Sequence, residues 1–493
     1  MATQAVARVG LIHVDRFEPS FELQSMKKVS TSHAVSRRPW FIVFAGLLAF
    51  GATSRTLVAQ HNSNDGLDSY GGFKEITVEA TGWFRVEKIR GRHVLVTPEG
   101  HPFVALGINH VASVDDGKAD GVFQKKYGGS WAQFGAELRR QMKEWGHNAV
   151  DEDLPPEARK GMPYLASQMV ARTSKYLSDP GGNNPYHFPD VFDPAIRGDL
   201  EQQVVNFCRE HRENRYLIGY NWTDTPMWDL RKTRQFRGTD WVSEIRKLRS
   251  DAPGRRSYLE FVRKQYPDIA AFNRAYGLTL NSLDDLNGFD FGLLDLKRYE
   301  VFRDDEAFLG LIAQTYYKFV GEAARRTDPN HLIFGEKYLM GDHPDVVLEA
   351  GLPYIDVLAA QPGDGYIPIY VPGDVFPKAE MEELYEQTGK PIFICDHQIS
   401  FATHDYPVAT WPYHQHPNER SAAEATYRFL TEAFERPYLI GYMRCQYLNH
   451  YSQRRAGMKQ GYFREDGSPY ELLLRKAVRA NHEVRESVRS SLR

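Results

Sequence analysis

Short apolar runs alternate with longer amphipathic stretches from Gly82 onward. Eight of the runs have the length and the β-branched or aromatic character of strands: Phe103 to Ile108, His147 to Val150, Tyr164 to Met169, Tyr216 to Tyr220, His331 to Phe334, Ile355 to Ala359, Pro391 to Cys395 and Leu439 to Met443. Helical periodicity fills the gaps, over Trp131 to Trp145, Asp199 to Arg212, Asp304 to Arg326, Lys378 to Thr388 and Glu419 to Glu435. Strands separated by helices pair in parallel through right-handed crossovers, and eight of them suggest a closed (β/α)8 barrel, a TIM barrel. The alternative is an open doubly wound sheet, but no Gly-rich phosphate loop follows the first strand. The connection after strand four is long, at about 225–296. It carries a helical pair over Tyr258 to Tyr276 and reads as an insertion on the face where barrel active sites lie.

The first 78 residues follow another pattern. Residues 41–52, FIVFAGLLAFGA, are apolar but too short to span a bilayer. Arg37 and Arg38 precede them and small or polar residues follow, the layout of a secretory signal. Met26 begins a more natural basic lead, MKKVSTSHAVSRRPW, and is an alternative start. The organisation expected is a targeting segment over 1–59, a polar Gly-rich linker over 60–78 and a catalytic barrel over 79–484 beginning with a small hairpin. The protein is then secreted or periplasmic, with no membrane span once the signal is removed.

Composition narrows the function by exclusion. A formal net charge of -3 favours neither nucleic acid nor an anionic membrane. Three cysteines, Cys208, Cys395 and Cys445, exclude a disulfide framework, and their spacing is not that of a zinc site. No Gly-x-Ser-x-Gly elbow is present, which disfavours serine hydrolase chemistry. No cofactor and no metal are expected, although His404 with Asp405 and YHQHP is an alternative ligand set. The aromatic share of 13% suits stacking on sugar rings as well as ordinary core packing.

Three segments carry a family resemblance. GWFRVEKIRGRHVLVTPEGHPFVALGINHV, Gly82 to Val111, resembles the entry of β-agarases and related clan-A glycoside hydrolases, where a small hairpin leads into a first strand ending G-x-N. YPDIAAFNRAYG, Tyr266 to Gly277, is similar to an element that β-galactosidases of that clan carry after strand four. GKPIFICDHQIS, Gly389 to Ser400, resembles the stretch that ends in the clan's nucleophile on strand seven, and PYLIGYMRCQY, Pro437 to Tyr447, fits strand eight. The resemblance implies a glycoside hydrolase with a polysaccharide substrate.

The chain departs from that pattern at the reacting positions. Where the family has D-N-E at the end of strand four, this sequence has Thr223, Asp224 and Thr225, and strand seven ends in Asp396 rather than Glu. Shortening Glu to Asp withdraws a carboxylate by roughly 1.5 Å. Glycosidic cleavage needs one group to protonate the leaving oxygen and another to stabilise or attack the oxocarbenium-like centre. The strand-end candidates are Asp224, Glu336 and Asp396, with Asp151, Glu152 and Asp153 following strand two. Barrel-fold fucan hydrolases look similar in placing an Asp nucleophile at the end of strand four. That resemblance implies that Asp224 attacks and Glu336 donates the proton, whereas the agarase resemblance implies that Asp396 attacks.

Around these the resemblance maps Asn109 and His110 to the rim after strand one, and Gln446 and Tyr447 to the Q-Y pair after strand eight. Trp222, Trp228 and Trp411 are candidate stacking platforms. His397 opens a His-rich stretch, and Arg444 stands where agarases carry Trp. Arg and His at a sugar site suit sulfate, so the expected substrate is an algal-type, sulfated fucan or agar/porphyran galactan. Without the acid/base Glu, a non-catalytic carbohydrate-binding protein is the alternative.

Overall fold

The computed structural model describes residues 66–115, 121–151, 153–170, 188–224, 226–341, 343–366, 369–404, 414–452 and 457–493, with a few side chains at loop edges left out. The targeting segment, Trp411, Asp405, Arg454 and Arg455 lie outside the described residues. Eight strands form a closed parallel barrel: β1 (Ala105–Asn109), β2 (Ala149–Asp151), β3 (Tyr164–Ser167), β4 (Leu217–Asp224), β5 (Leu332–Leu339), β6 (Leu358–Gln361), β7 (Ile392–His397) and β8 (Leu439–Cys445). They pair in sequence order, and β8 returns to β1 with Gly441 opposite Ala105 and Cys445 opposite Asn109. All eight expected strands are present. Parallel strands covered on both sides read as continuous apolar runs, so their positions are plain in the sequence.

The expected helices form as well, because their ends are marked. Ser130 accepts from the Gln133 amide and starts Trp131–Trp145, and Gly146 at φ 73° ends it. Within the insertion the expected helical pair is present as Pro253–Gln265 and Ile269–Tyr276. The break falls at Pro267, which disfavours helix at Tyr266, and Asp268 caps the second helix through the Ala271 amide. Two further helices, Leu230–Arg237 and Trp241–Lys247, precede the pair. Arg246 binds them to the long outer helix Tyr299–Thr327 through the buried Asp305, at 2.6 Å.

Strands Arg85–Ile89 and Arg92–Val96 form an antiparallel hairpin over the two-residue turn Arg90–Gly91, both at positive φ. Phe84 and Leu95 of this element belong to the same buried cluster as Ala105, Ile218, Phe334, Phe393 and Met443 of the barrel interior. The N-terminal end of the barrel is thereby packed shut. Among the described residues no helix is long and apolar enough to cross a membrane.

Packing inside the barrel fixes one residue in particular. A Cβ on Gly441 would lie 2.0 Å from Phe393 Cε2, and Phe393 is itself held edge-on against Phe334 at 5.3 Å. Gly441→Ala is expected to cost about 1–3 kcal/mol by overpacking. A denaturant midpoint lowered in G441A, and partly restored when Phe393→Leu is added, checks the cause.

Candidate active site

Three strand ends, β2, β4 and β7, bring carboxylates to the C-terminal mouth. Asn109, at the end of β1, donates from Nδ2 to the Cys395 carbonyl at 2.8 Å and to Asp396 Oδ1 at 3.3 Å. It therefore clamps the end of β7 across β8, and Asp396 is held there at 6% exposure. His110 follows at φ 53°; its amide donates to Asp151 Oδ2 at 2.5 Å, and its Nδ1 lies 3.1 Å from Asp153 Oδ2. A ring nitrogen of His110 also lies within 4.8 Å of an Asp396 oxygen and of Cys445 Sγ. Asp224 ends β4 and accepts from Gln361 Nε2 at 2.8 Å, and the same amide nitrogen reaches the Lys337 carbonyl at 3.3 Å.

The electrostatics place these groups around one space. Burial pushes the Cys395 thiol well up, Asp396 and Asp224 both add to the effect, and Lys337 opposes it. Asp151 is raised to about 6 by burial; the His110 ring works against that shift, Asp153 reinforces it and Lys337 again opposes it. The Lys337 charge thus acts on groups of both β2 and β7.

Glu336 takes a different position. Gly335 adopts φ 70°, and the β4–β5 register slips there: Tyr220 pairs with Ile333 but Asn221 with Gly335, one step on β4 against two on β5. This β-bulge turns Lys337 toward the mouth and leaves Glu336 on the side of Tyr338, facing the outer helix. Tyr316 of that helix donates its hydroxyl to Glu336 Oε1 at 2.8 Å. Glu336 is 1% exposed. Burial pushes it up to about 8; Tyr316 and Thr223 work against the shift and Asp224 adds to it. It is a neutral acid at pH 7.

Trp222, Trp228, His397, Arg444 and Tyr447 pack behind the barrel, whereas Gln446 follows β8 with its Oε1 3.9 Å from Cys445 Sγ. Trp222 stacks on Tyr220 with centroids 6.0 Å apart, and Trp228 stacks on Trp241 at 4.6 Å. His397 stacks on Phe429 at 4.0 Å, and its Nε2–H donates to the Gly373 carbonyl at 2.7 Å. Arg444, 1% exposed, lies over the Tyr462 ring at 4.5 Å and donates to the Gln460 carbonyl at 3.3 Å. Gln446 Nε2 donates to the Leu448 carbonyl at 2.6 Å, and the Tyr447 hydroxyl to Gln141 Oε1 at 2.9 Å. Of the expected residues, the structure brings Asn109, His110, Asp224 and Asp396 together at the mouth. It adds Gln361, Lys337, Asp151, Asp153 and Cys445. Gln361 closes the apolar run of β6, a strand-end polar position of the kind that marks barrel active sites, so sequence carried a signal for it.

The fold is a closed parallel barrel with carboxylates at several strand ends. No protein-family model matches the chain. Beta-agarase B of Vibrio sp. (strain JT0107) is 20% identical, over 89% of this chain and 52% of that one, so the chain spans about half the length of this curated relative. An exo-beta-agarase structure superposes with a TM-score of 0.70 at 18% identity, covering 86% of this chain and 68% of that chain. A beta-galactosidase from the psychrophilic Marinomonas ef1 gives a TM-score of 0.51 at 12% identity, covering 78% and 60%. The fold is that of these enzymes.

Proposed function

We propose that the chain is a glycoside hydrolase that cleaves a galactan of the agar type, with Asp396 and Asp224 as its working carboxylates. One observation carries the reading. Asp396 sits in the barrel mouth at the end of β7, clamped by Asn109, in a barrel similar along most of its length to β-agarases. Asp396 then attacks the anomeric carbon, directly or through water, and Asp224 protonates the leaving oxygen from the side of β4. Asp224 Oδ1 accepts the Gln361 amide, which orients the carboxyl for that transfer. Lys337 offsets the charge of the ionised carboxylate.

Arg444, the residue expected to meet sulfate, is buried behind the strands over Tyr462, so the galactan reading does not depend on sulfate. Export by residues 1–59 belongs to the same proposal, since a polymer of this size has to be met outside the membrane.

The test is incubation of the purified chain with agarose, porphyran, carrageenan and fucoidan, followed by measurement of new reducing ends. Product from agarose or porphyran is expected. Cleavage of fucoidan alone would move the substrate to fucans. Binding without product on all four would make the chain a carbohydrate-binding protein, the outcome that Thr225 in place of the family's Glu favours. NMR of the first-formed anomer then assigns the stereochemistry: carboxyls about 5 Å apart retain configuration, and a gap of about 6.5–9.5 Å inverts it.

A further inference from the structure

We propose that His110, Asp151 and Asp153 form a divalent-cation site of the zinc type on the rim between β1 and β2. His110 Nδ1 lies 3.1 Å from Asp153 Oδ2 and 3.8 Å from Asp151 Oδ2, and one ligand atom from each residue falls within a 4.8 Å group. Zinc holds nitrogen and carboxylate oxygen at about 2.0–2.2 Å, which sets neighbouring ligands of a tetrahedron about 3.3 Å apart. The two measured separations bracket that edge length. The third edge, between the two carboxylates, is within 4.8 Å, so a cation is seated by drawing the aspartates together by about 1.5 Å at most.

A second observation points the same way. Asp151 is 6% exposed; the oxygen near the His110 ring, Oδ2, already accepts the His110 amide, and the other, Oδ1, is buried with no hydrogen-bond partner, so the carboxylate as a whole is under-satisfied. A buried carboxylate oxygen left unpaired costs about 1–3 kcal/mol or more, and a second carboxylate beside it adds repulsion. A divalent cation offsets both terms, and with two aspartates it gives a neutral centre.

The donor set selects the ion. One imidazole and two carboxylates suit zinc or manganese; calcium calls for six to eight oxygens, more than this rim offers. Asp153 has a half-exposed side chain, so the fourth position is open to solvent. Three protein ligands with one open position is the arrangement that binds an exchangeable oxygen ligand, such as water or a sugar hydroxyl. His110 and the two aspartates are about forty residues apart and meet only because β1 and β2 are neighbours. No ligand spacing in the sequence announces the site.

The inference stands apart from the glycosidase reading because its readout is metal itself. Tag-free full-length protein, stripped with a chelator and dialysed, is titrated with ZnCl2 by calorimetry and analysed for bound metal after gel filtration. One zinc per chain is expected, with at least tenfold weaker binding in Asp153→Asn and in His110→Gln. Both variants are checked for unchanged circular dichroism. Binding by Cys445→Ser is expected to match the parent protein, which separates this site from the neighbouring His110–Asp396–Cys445 group. MnCl2 is expected to bind the same site more weakly. The proposal is overturned if no zinc is retained, if D153N and H110Q bind as the parent does, or if C445S abolishes binding while D153N does not.

Discussion

Asp396→Asn is expected to lower kcat/KM on agar oligosaccharides by about a thousandfold or more, a loss of roughly 4 kcal/mol of transition-state stabilisation. The substitution keeps the shape of the side chain and its place beside the Asn109 amide, and removes only the charge. That charge is what an oxocarbenium-like centre requires, whether the carboxylate attacks directly or orients water. Held at 6% exposure in the mouth, it acts in a medium that screens it far less than water does. Reducing-end assays give the rate, and the melting temperature shows that the fold is intact. An Asp396→Asn enzyme retaining a tenth or more of its activity would remove Asp396 from the chemistry. Asn109→Ala is a control on positioning: a lower kcat with a preserved KM is expected, since it loosens the clamp without removing the charge.

The barrel was legible in the sequence because each of its strands is buried on both faces, so the runs ALGIN, LIGY and IFIC stand out as uninterrupted apolar segments. Helix ends were legible for the same local reasons, in caps such as Ser130 and Gly146. Side-chain direction at the strand tips was not. Alternation predicts it only while register holds, and register slips at the ends of β4, β5 and β7. One left-handed glycine, Gly335, exchanges the positions expected of Glu336 and Lys337. A similar slip between Ile394 and His397 seats His397 against Phe429. Trp222 and Trp228 illustrate another limit, since composition alone does not distinguish a stacking platform from a core ring. Asp224 and Asp396 were legible as strand-end positions because each closes a strand, β4 and β7, whose residues are nearly all buried.

Glu336→Gln is expected to stabilise the protein at alkaline pH and to have little effect near pH 5. In the folded chain this carboxyl is raised to about 8 by burial, whereas an unfolded glutamate titrates near 4.3. Below about pH 4 both states are protonated and the group has no influence. Between the two values the unfolded chain has lost the proton that the folded chain keeps. Unfolding therefore releases a proton, and stability falls as pH rises, by up to about 1.4 kcal/mol per pH unit. Above the folded value the penalty is complete. Glutamine imitates the neutral acid: its carbonyl takes the Tyr316 hydroxyl that Glu336 Oε1 now accepts, and it has no proton to lose. Calorimetric melts of both proteins at pH 5, 6, 7 and 8 should thus diverge steadily, with E336Q the more stable at the upper end. Its activity on agarose should stay within a few-fold of the parent protein, because the side chain faces the outer helix rather than the mouth. A stability difference that does not change with pH would mean that Glu336 is ionised in the folded chain. Loss of most activity without loss of stability would return it to the reacting groups.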